Sequence, residues 1–125
     1  MSAYTASHSV AYKQQSILTA TPGQLVVMLY DGCLRFLHQA SYAMRENRRL
    51  VAVDRIGRAG AILDELLTTL DLDEGGVIAS RLQGIYVFCL RHLQEARTAN
   101  DPAMVDKVAE LLSELRDAWA QIATA

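Results

Sequence analysis

The stretch Thr19–Gly32, TATPGQLVVMLYDG, opens the segment that decides the fold. Thr21 is a typical helix N-cap, Gln24 follows three residues later as in a capping box, and Pro22 takes the first helical position, where no backbone N–H is needed. The sequence therefore predicts a helix that starts at Pro22. On a helical wheel the apolar residues that follow span an arc of about 140°, which is wider than the stripe of a helix packed on one side. The surplus predicts either that other elements enclose this helix or that one flank is left for a partner.

Turn residues divide the rest of the chain into helical segments of similar length. Apolar periodicity predicts four helices, at about residues 22–46, 50–70, 77–99 and 102–122. Because their connections are short, consecutive helices are expected to be antiparallel neighbours. The predicted fold is all-α, an antiparallel up-down four-helix bundle over residues 21–125 that follows an N-terminal arm or cap over residues 1–20.

Some residues inside these helices carry expectations about packing. Glycine is unfavourable in a helix interior, so we expect a neighbouring element to approach Gly32, Gly57 and Gly60 closely. The apolar stripe of the third helix includes Ile78, and that of the fourth includes Ile122. Both side chains are therefore expected to be buried. The fourth helix is an ordinary amphipath, with one apolar and one polar face.

Composition restricts the class of protein. The chain has 125 residues and a net charge of −2 at pH 7, which suits one domain with a real core and gives no general attraction to nucleic acid. No run of about 18 apolar residues is present, so no direct membrane insertion is expected. The N-terminus lacks a signal-peptide pattern, so the expected location is the cytosol. Cys33 and Cys89 lack zinc-site spacing and are expected to be buried thiols, with a disulfide as the less favoured alternative.

Residues with catalytic or metal-binding potential form no recognisable site in the sequence. His8 lies in the arm, and His38 and His92 fall on polar helix faces, so no nucleophile has a base beside it. A di-iron bundle would need paired Glu-x-x-His motifs, which are missing, and there is no phosphate-binding glycine loop. We therefore expect no enzymatic activity, no metal and no cofactor.

The remaining signals concern protein surfaces. A basic cluster surrounds the first turn and consists of Arg45, Arg48, Arg49, Arg55 and Arg58. It is expected to be an ion-paired, solvated face, with docking of an acidic protein as the alternative. The wide apolar arc of the first helix and the apolar residues of the arm indicate that a partner helix binds in a groove.

Several short motifs occur along the chain in an order that is typical of one protein family. They are Ala11-Tyr12, Thr19–Pro22, Met28–Gly32, Leu70-Asp71, Gly75-Gly76, Ile85-Tyr86 and Leu115–Trp119. On these motifs the sequence resembles the FliS family of flagellar export chaperones over nearly its whole length. One departure is Cys33, which stands where that family often has alanine.

The resemblance implies a specific biological role. It implies a four-helix bundle with a short N-terminal cap that binds the disordered C-terminal segment of flagellin in the cytosol and so prevents premature polymerisation. It also implies delivery of the client to the cytoplasmic domain of the flagellar export gate protein, without ATP or a cofactor. The expected oligomeric state is a monomer or weak dimer. The alternative is a self-associating structural bundle without a flagellin client, whose apolar flank is its own dimer interface.

The expected client contacts are apolar residues beside the core stripes. They are Val26 and Tyr30 on the first helix, Ile62 on the second and Val87 on the third. Tyr12 and Ile17 are expected to anchor the arm, which covers part of the groove without client and takes part in docking to the export gate.

Overall fold

The computed structural model describes residues 19–124 of the chain. Four α-helices make up this part: α1 (Pro22–Arg45), α2 (Arg49–Thr68), α3 (Gly76–Ala99) and α4 (Pro102–Thr124). No strand occurs within these residues, and the all-α prediction is confirmed. The largest differences from the predicted boundaries are two residues, at the ends of α2 and α4. The arm residues Tyr12 and Ile17, and also His8, lie outside the described residues.

The start of α1 forms as its local sequence predicts. Thr21 Oγ1 accepts a hydrogen bond from the Gln24 backbone N–H at 3.2 Å, and the Thr21 N–H donates to Gln24 Oε1 at 2.9 Å. Pro22 follows at the first helical position. This reciprocal capping box satisfies two backbone donors that have no partner inside the helix.

Two asparagines shape the turns at the other end of the bundle. Asn47, after α1, has a φ of 59°, and Asn100, after α3, has a φ of 52°. In the first turn the Arg48 N–H donates to the Ala43 carbonyl at 2.8 Å, and in the second the Asp101 N–H donates to the Ala96 carbonyl at 3.0 Å. These bonds characterise a helix C-terminus closed by a left-handed residue, a conformation that asparagine tolerates better than most side chains.

Contacts between the helices establish an antiparallel bundle. Asp31, early in α1, pairs with Arg116, late in α4, at 2.8 Å. Ser41, late in α1, donates to Asp106, early in α4, at 2.6 Å. α1 packs extensively against α2 and α4, α3 packs more sparsely against the same two helices, and α1 and α3 lie diagonally opposite. The predicted up-down arrangement is confirmed.

The wide apolar arc of α1 is explained by enclosure. Eight residues of α1 are buried, more than in α2 or α3: Tyr30, Gly32, Cys33, Leu37, Ala40, Ser41, Ala43 and Met44. Two closely packed neighbours cover a wider arc than one neighbour does. Of the two predicted explanations, the structure therefore supports enclosure for most of this helix.

Residues from all four helices form one core. Its largest fully buried side chains are Tyr30, Tyr86, Leu37, Leu63, Leu93, Leu112, Val105, Val108, Cys33 and Cys89. No helix in the described part of the chain is long and apolar enough to cross a bilayer.

The glycine expectation is wrong at one position. A Cβ added at Gly32 would lie 3.4 Å from Ile62 Cδ1, and one added at Gly60 would lie 3.7 Å from Leu90 Cδ2, so both positions face a neighbour. A Cβ added at Gly57 would meet nothing within 4 Å. Gly57 is exposed and borders an open space between α2 and α3, which leaves room for a Cβ.

Candidate partner-binding groove

An apolar groove opens at one end of the bundle, where α1 and α3 begin and α2 and α4 end. Its volume is about 390 Å³. All four helices and the α2–α3 loop contribute to its lining, which consists of Val26, Leu66, Thr69, Leu70, Asp71, Gly75, Ile78, Ala79, Leu82, Tyr86 and Trp119. The chain enters α1 at the same end, because Val26 stands one turn after Pro22.

Large apolar side chains at this end of the bundle are exposed to solvent. Ile78 is 72% exposed and Ile122 is 67% exposed, so the prediction that both are buried is wrong. Periodicity assigns a residue to a helix face, but among residues 19–124 no helix packs over that face at the first turn of α3 and the last turn of α4. Val77 and Leu72 are exposed nearby in the chain. Such a concentration of apolar surface is typical of a protein-binding site.

A pair of tyrosines lies beneath the groove. The hydroxyl oxygens of Tyr30 and Tyr86 are 2.5 Å apart, and this bond joins the diagonal helices α1 and α3. Burial raises the pKa of both tyrosines, and the hydrogen bond with Tyr86 raises the pKa of Tyr30 further. Both hydroxyls are therefore neutral at physiological pH, and the floor of the groove is polar without being charged.

The residues expected to contact a client are distributed over several parts of the bundle. Val26 lines the groove. Tyr30 is fully buried, so its side chain reaches the groove only through Tyr86. Ile62 is partly buried near Gly32 at the α1–α2 interface, and Val87 is 39% exposed on α3 outside the groove lining.

Sequence reasoning missed several groove residues because each belongs to a regular stripe. Ile78, Leu82 and Trp119 stand at helical spacing among the apolar residues of α3 and α4, so periodicity alone predicts ordinary core positions for them. One signal could have found two of them: in an antiparallel bundle, the first turn of α3 and the last turns of α4 meet at the same end. Apolar residues at those positions, such as Ile78 and Trp119, come together at an opening.

A second cavity, of about 420 Å³, lies between α1 and α4 and has a different chemistry. Its lining includes His38, Asp106, Glu110, Glu114 and Asp117. Burial would raise the pKa of Asp106, but hydrogen bonds from Arg45 and Ser41 outweigh it and hold that pKa below its ordinary value. These contacts secure the register of α4 on α1, and exposed ion pairs of this kind contribute little stability.

The basic cluster is largely ion-paired. Arg45 contacts Asp106 at 2.8 Å, Arg58 contacts Asp54 at 2.9 Å, and Arg55 also pairs with Asp54. The hydrogen bond from Arg58 is the largest cause of the lowered pKa of Asp54. These contacts favour an ion-paired, solvated face over docking of an acidic protein.

Within the described part of the chain, His38, His92 and the two cysteines do not assemble a reactive site. The ring of His92 stacks on Phe88 with centroids 5.2 Å apart, and His38 lines the acidic cavity. Cys33 and Cys89 are buried free thiols, and burial raises the pKa of Cys33 to about 12 and that of Cys89 to about 11. Among residues 19–124, no three metal-binding side chains are grouped.

Comparison with known proteins gives the bundle a family. The family model described as "Flagellar protein FliS" matches residues 4–125. The chain belongs to the FliS family. Over 116 residues it is 35% identical to the flagellar secretion chaperone FliS of Vibrio cholerae, which covers 90% of this chain and 85% of that protein.

Other relatives named FliS have similar identities to this chain. The flagellar secretion chaperone FliS of Salmonella typhimurium is 35% identical over 124 residues, which cover 95% of this chain and 92% of that protein. The Bacillus subtilis protein of the same name is 34% identical over 111 residues, covering 89% and 82%. The family predicted from the sequence is confirmed, and these relatives are named as chaperones, not enzymes. The role of the chain is that of a flagellar export chaperone.

Proposed function

We propose that this chaperone binds the disordered C-terminal segment of flagellin in the cytosol and seats an apolar part of it in the groove. The observation that carries the proposal is an open apolar groove of about 390 Å³, with Ile78 exposed in its lining, in a protein of the FliS family. Covering the segment that polymerises in the filament prevents premature assembly. The complex then delivers the client to the cytoplasmic domain of the export gate protein.

The size of the groove indicates that the client interface extends beyond it. Ordering a disordered segment on binding costs about 2–5 kcal/mol. At roughly 25 cal/mol per Å² of apolar surface, covering about 100–200 Å² only offsets that cost. A groove of this volume accommodates a few side chains. Stable binding therefore needs further contacts along the outside of the bundle, for which Val87 and the 48% exposed Phe88 on α3 are suitable. Ile62, being partly buried, is a weaker candidate.

The N-terminal arm is proposed to regulate access to the groove. Its anchors, Tyr12 and Ile17, precede α1, which begins at the groove end of the bundle beside Val26. The arm covers the groove in the absence of client, and its displacement frees it for docking to the export gate. Deletion of residues 1–16 should leave the helix content intact and change the client association rate or gate binding. Loss of helix content on deletion would show instead that the arm is part of the core.

Two neighbouring substitutions test the groove. Ile78→Asp places a charge in the groove lining, whereas Val77→Asp places the same charge on an equally exposed side chain outside it. Both lie in the first turn of α3, where an acidic residue is favourable for the helix, so both variants should fold. Calorimetric titration with the flagellin C-terminal segment should show at least about tenfold weaker binding for Ile78→Asp than for Val77→Asp, since desolvating a carboxylate costs more than about 1.4 kcal/mol. Equal affinities would remove the groove from the client site.

The same protein variants distinguish the chaperone proposal from the alternative, a self-associating bundle. Light scattering over a concentration series would reveal a stable dimer if the groove is a self-association surface. A dimer that persists with the flagellin segment, and that Ile78→Asp dissociates, would favour the alternative. A monomer that binds the segment at one-to-one stoichiometry supports the chaperone proposal.

A further inference from the structure

The two buried tyrosine hydroxyls beneath the groove carry two protons, and the hydrogen bond between them uses only one. The oxygens of Tyr30 and Tyr86 are 2.5 Å apart, and the two residues are 0% and 1% exposed. Each phenol carries one proton, and a bond between two phenols uses one of the two. Within residues 19–124, no carbonyl or carboxylate oxygen accepts the other proton.

Only one of the two hydroxyl-bearing residues borders the groove. Either oxygen can be the donor in the bond between them. Tyr86 lines the groove, whereas Tyr30 is fully buried and does not. When Tyr30 donates to Tyr86, the unused proton therefore belongs to the residue that an acceptor in the groove can approach.

We propose that the protein segment bound in the groove presents an oxygen acceptor to the Tyr86 hydroxyl, either a backbone carbonyl or the side chain of Ser, Thr, Asn or Gln. This inference rests on the proposed binding of flagellin and adds a polar requirement to an otherwise apolar site. An oxygen acceptor supplies the hydrogen bond that this proton lacks, whereas an apolar occupant leaves that bond unmade and therefore binds less tightly. Tyr86 therefore selects the register in which the client segment lies.

Two conservative variants of the tyrosine pair test the proposal. Tyr86→Phe and Tyr30→Phe each remove one hydroxyl from the same hydrogen bond and keep the ring, so both should lower the melting temperature by similar amounts. Only Tyr86→Phe removes the donor that faces the client. Calorimetric titration with the flagellin C-terminal segment should show about five- to tenfold weaker binding for Tyr86→Phe, the effect of one neutral hydrogen bond. Tyr30→Phe should remain within about twofold of the wild type.

The outcomes separate this inference from the proposed function. Failure of the wild type to bind the segment would refute flagellin binding itself. Binding by the wild type with equal affinities for the two variants would overturn the role of Tyr86 and leave flagellin binding intact.

Changes in the client identify the acceptor. Two scans of the client segment are needed: single alanine substitutions at its oxygen-bearing side chains, and single amide-to-ester substitutions that weaken its carbonyls. One position in these scans should show an energetic coupling with Tyr86 in a double-mutant cycle. At that position the change weakens binding to the wild type about five- to tenfold but barely affects binding to Tyr86→Phe. Absence of coupling at every position in both scans would overturn the proposal.

Discussion

Replacing Gly57 with alanine should stabilise the bundle, although the glycine lies in the middle of a helix that packs against two others. Gly57 lies inside α2, is exposed, and has open space where a Cβ would be added. Alanine therefore keeps every contact of the folded state. It also restricts the unfolded chain, which glycine leaves conformationally free.

The magnitude follows from helix propensity and chain length. Glycine in an exposed helix interior is about 0.8–1.0 kcal/mol less favourable than alanine. The unfolding entropy is roughly 2.1 cal/mol/K per residue, or about 0.26 kcal/mol/K for a chain of 125 residues. A gain of about 1 kcal/mol should therefore raise the melting temperature by about 4 °C.

Three other glycines serve as controls of known environment. Gly84, inside α3, also has nothing within 4 Å of an added Cβ, so Gly84→Ala should match Gly57→Ala. At Gly32 the Cβ would lie 3.4 Å from Ile62, at the short edge of ordinary contact, so the gain should be smaller. At Gly75 it would lie 2.5 Å from the Asp71 carbonyl oxygen and from Ala79 Cβ, so Gly75→Ala should lose about 1–3 kcal/mol.

Thermal and urea denaturation followed by circular dichroism at 222 nm measure the four variants. The expected order of melting temperature is Gly57→Ala and Gly84→Ala highest, then Gly32→Ala, then the wild type, then Gly75→Ala. A Gly57→Ala variant that melts at or below the wild type, while Gly84→Ala gains stability, would show that a neighbour covers Gly57 and would refute the reasoning.

Further predictions concern a turn, an acidic side chain and the thiols. Asn47→Ala should cost about 1 kcal/mol, because alanine resists the left-handed φ of 59°, whereas Asn47→Gly should be close to neutral in the same melts. The pKa of Asp106 is lowered in the folded state, so its contribution is present above the unfolded carboxyl pKa and is lost as pH falls through the folded value. The stability difference between wild type and Asp106→Asn, measured by urea titrations at each pH, should therefore be a few tenths of a kcal/mol at pH 7. It should shrink as the pH falls below about 4. A difference that grows on acidification would contradict this. With pKa values of about 12 and 11, Cys33 and Cys89 should resist iodoacetamide at pH 8 in the native protein and react in 8 M urea, as mass spectrometry of the tryptic peptides will show; rapid native labelling would mean that the thiols are accessible.

The acidic cavity and the apolar groove illustrate two different uses of the bundle surface. Between α1 and α4, polar contacts such as Ser41 with Asp106 and Asp31 with Arg116 fix the register of the helices. At the groove end, the helix termini instead leave apolar side chains open, including Ile78. Stability and the proposed client binding can therefore be altered separately, which makes paired variants informative in this protein.

Local sequence signals are sufficient to predict the four helices, their boundaries to within two residues, and the antiparallel topology. These features depend on interactions within a few residues, such as the Thr21–Gln24 capping box and the left-handed Asn47, and on connections too short for any other arrangement. The motifs between Ala11 and Trp119 likewise identify the family, because their order and spacing can be read directly from the sequence without a structure.

Which apolar residues are buried depends instead on how the helices pack together. Tyr30 and Ile78 both belong to regular apolar stripes, yet Tyr30 is fully enclosed and Ile78 is 72% exposed. Periodicity gives the face of a helix on which a residue lies, but burial depends on whether a second helix covers that face at that height. Two neighbours enclose α1 at Tyr30, whereas the end of the bundle leaves Ile78 uncovered, and that difference creates the groove.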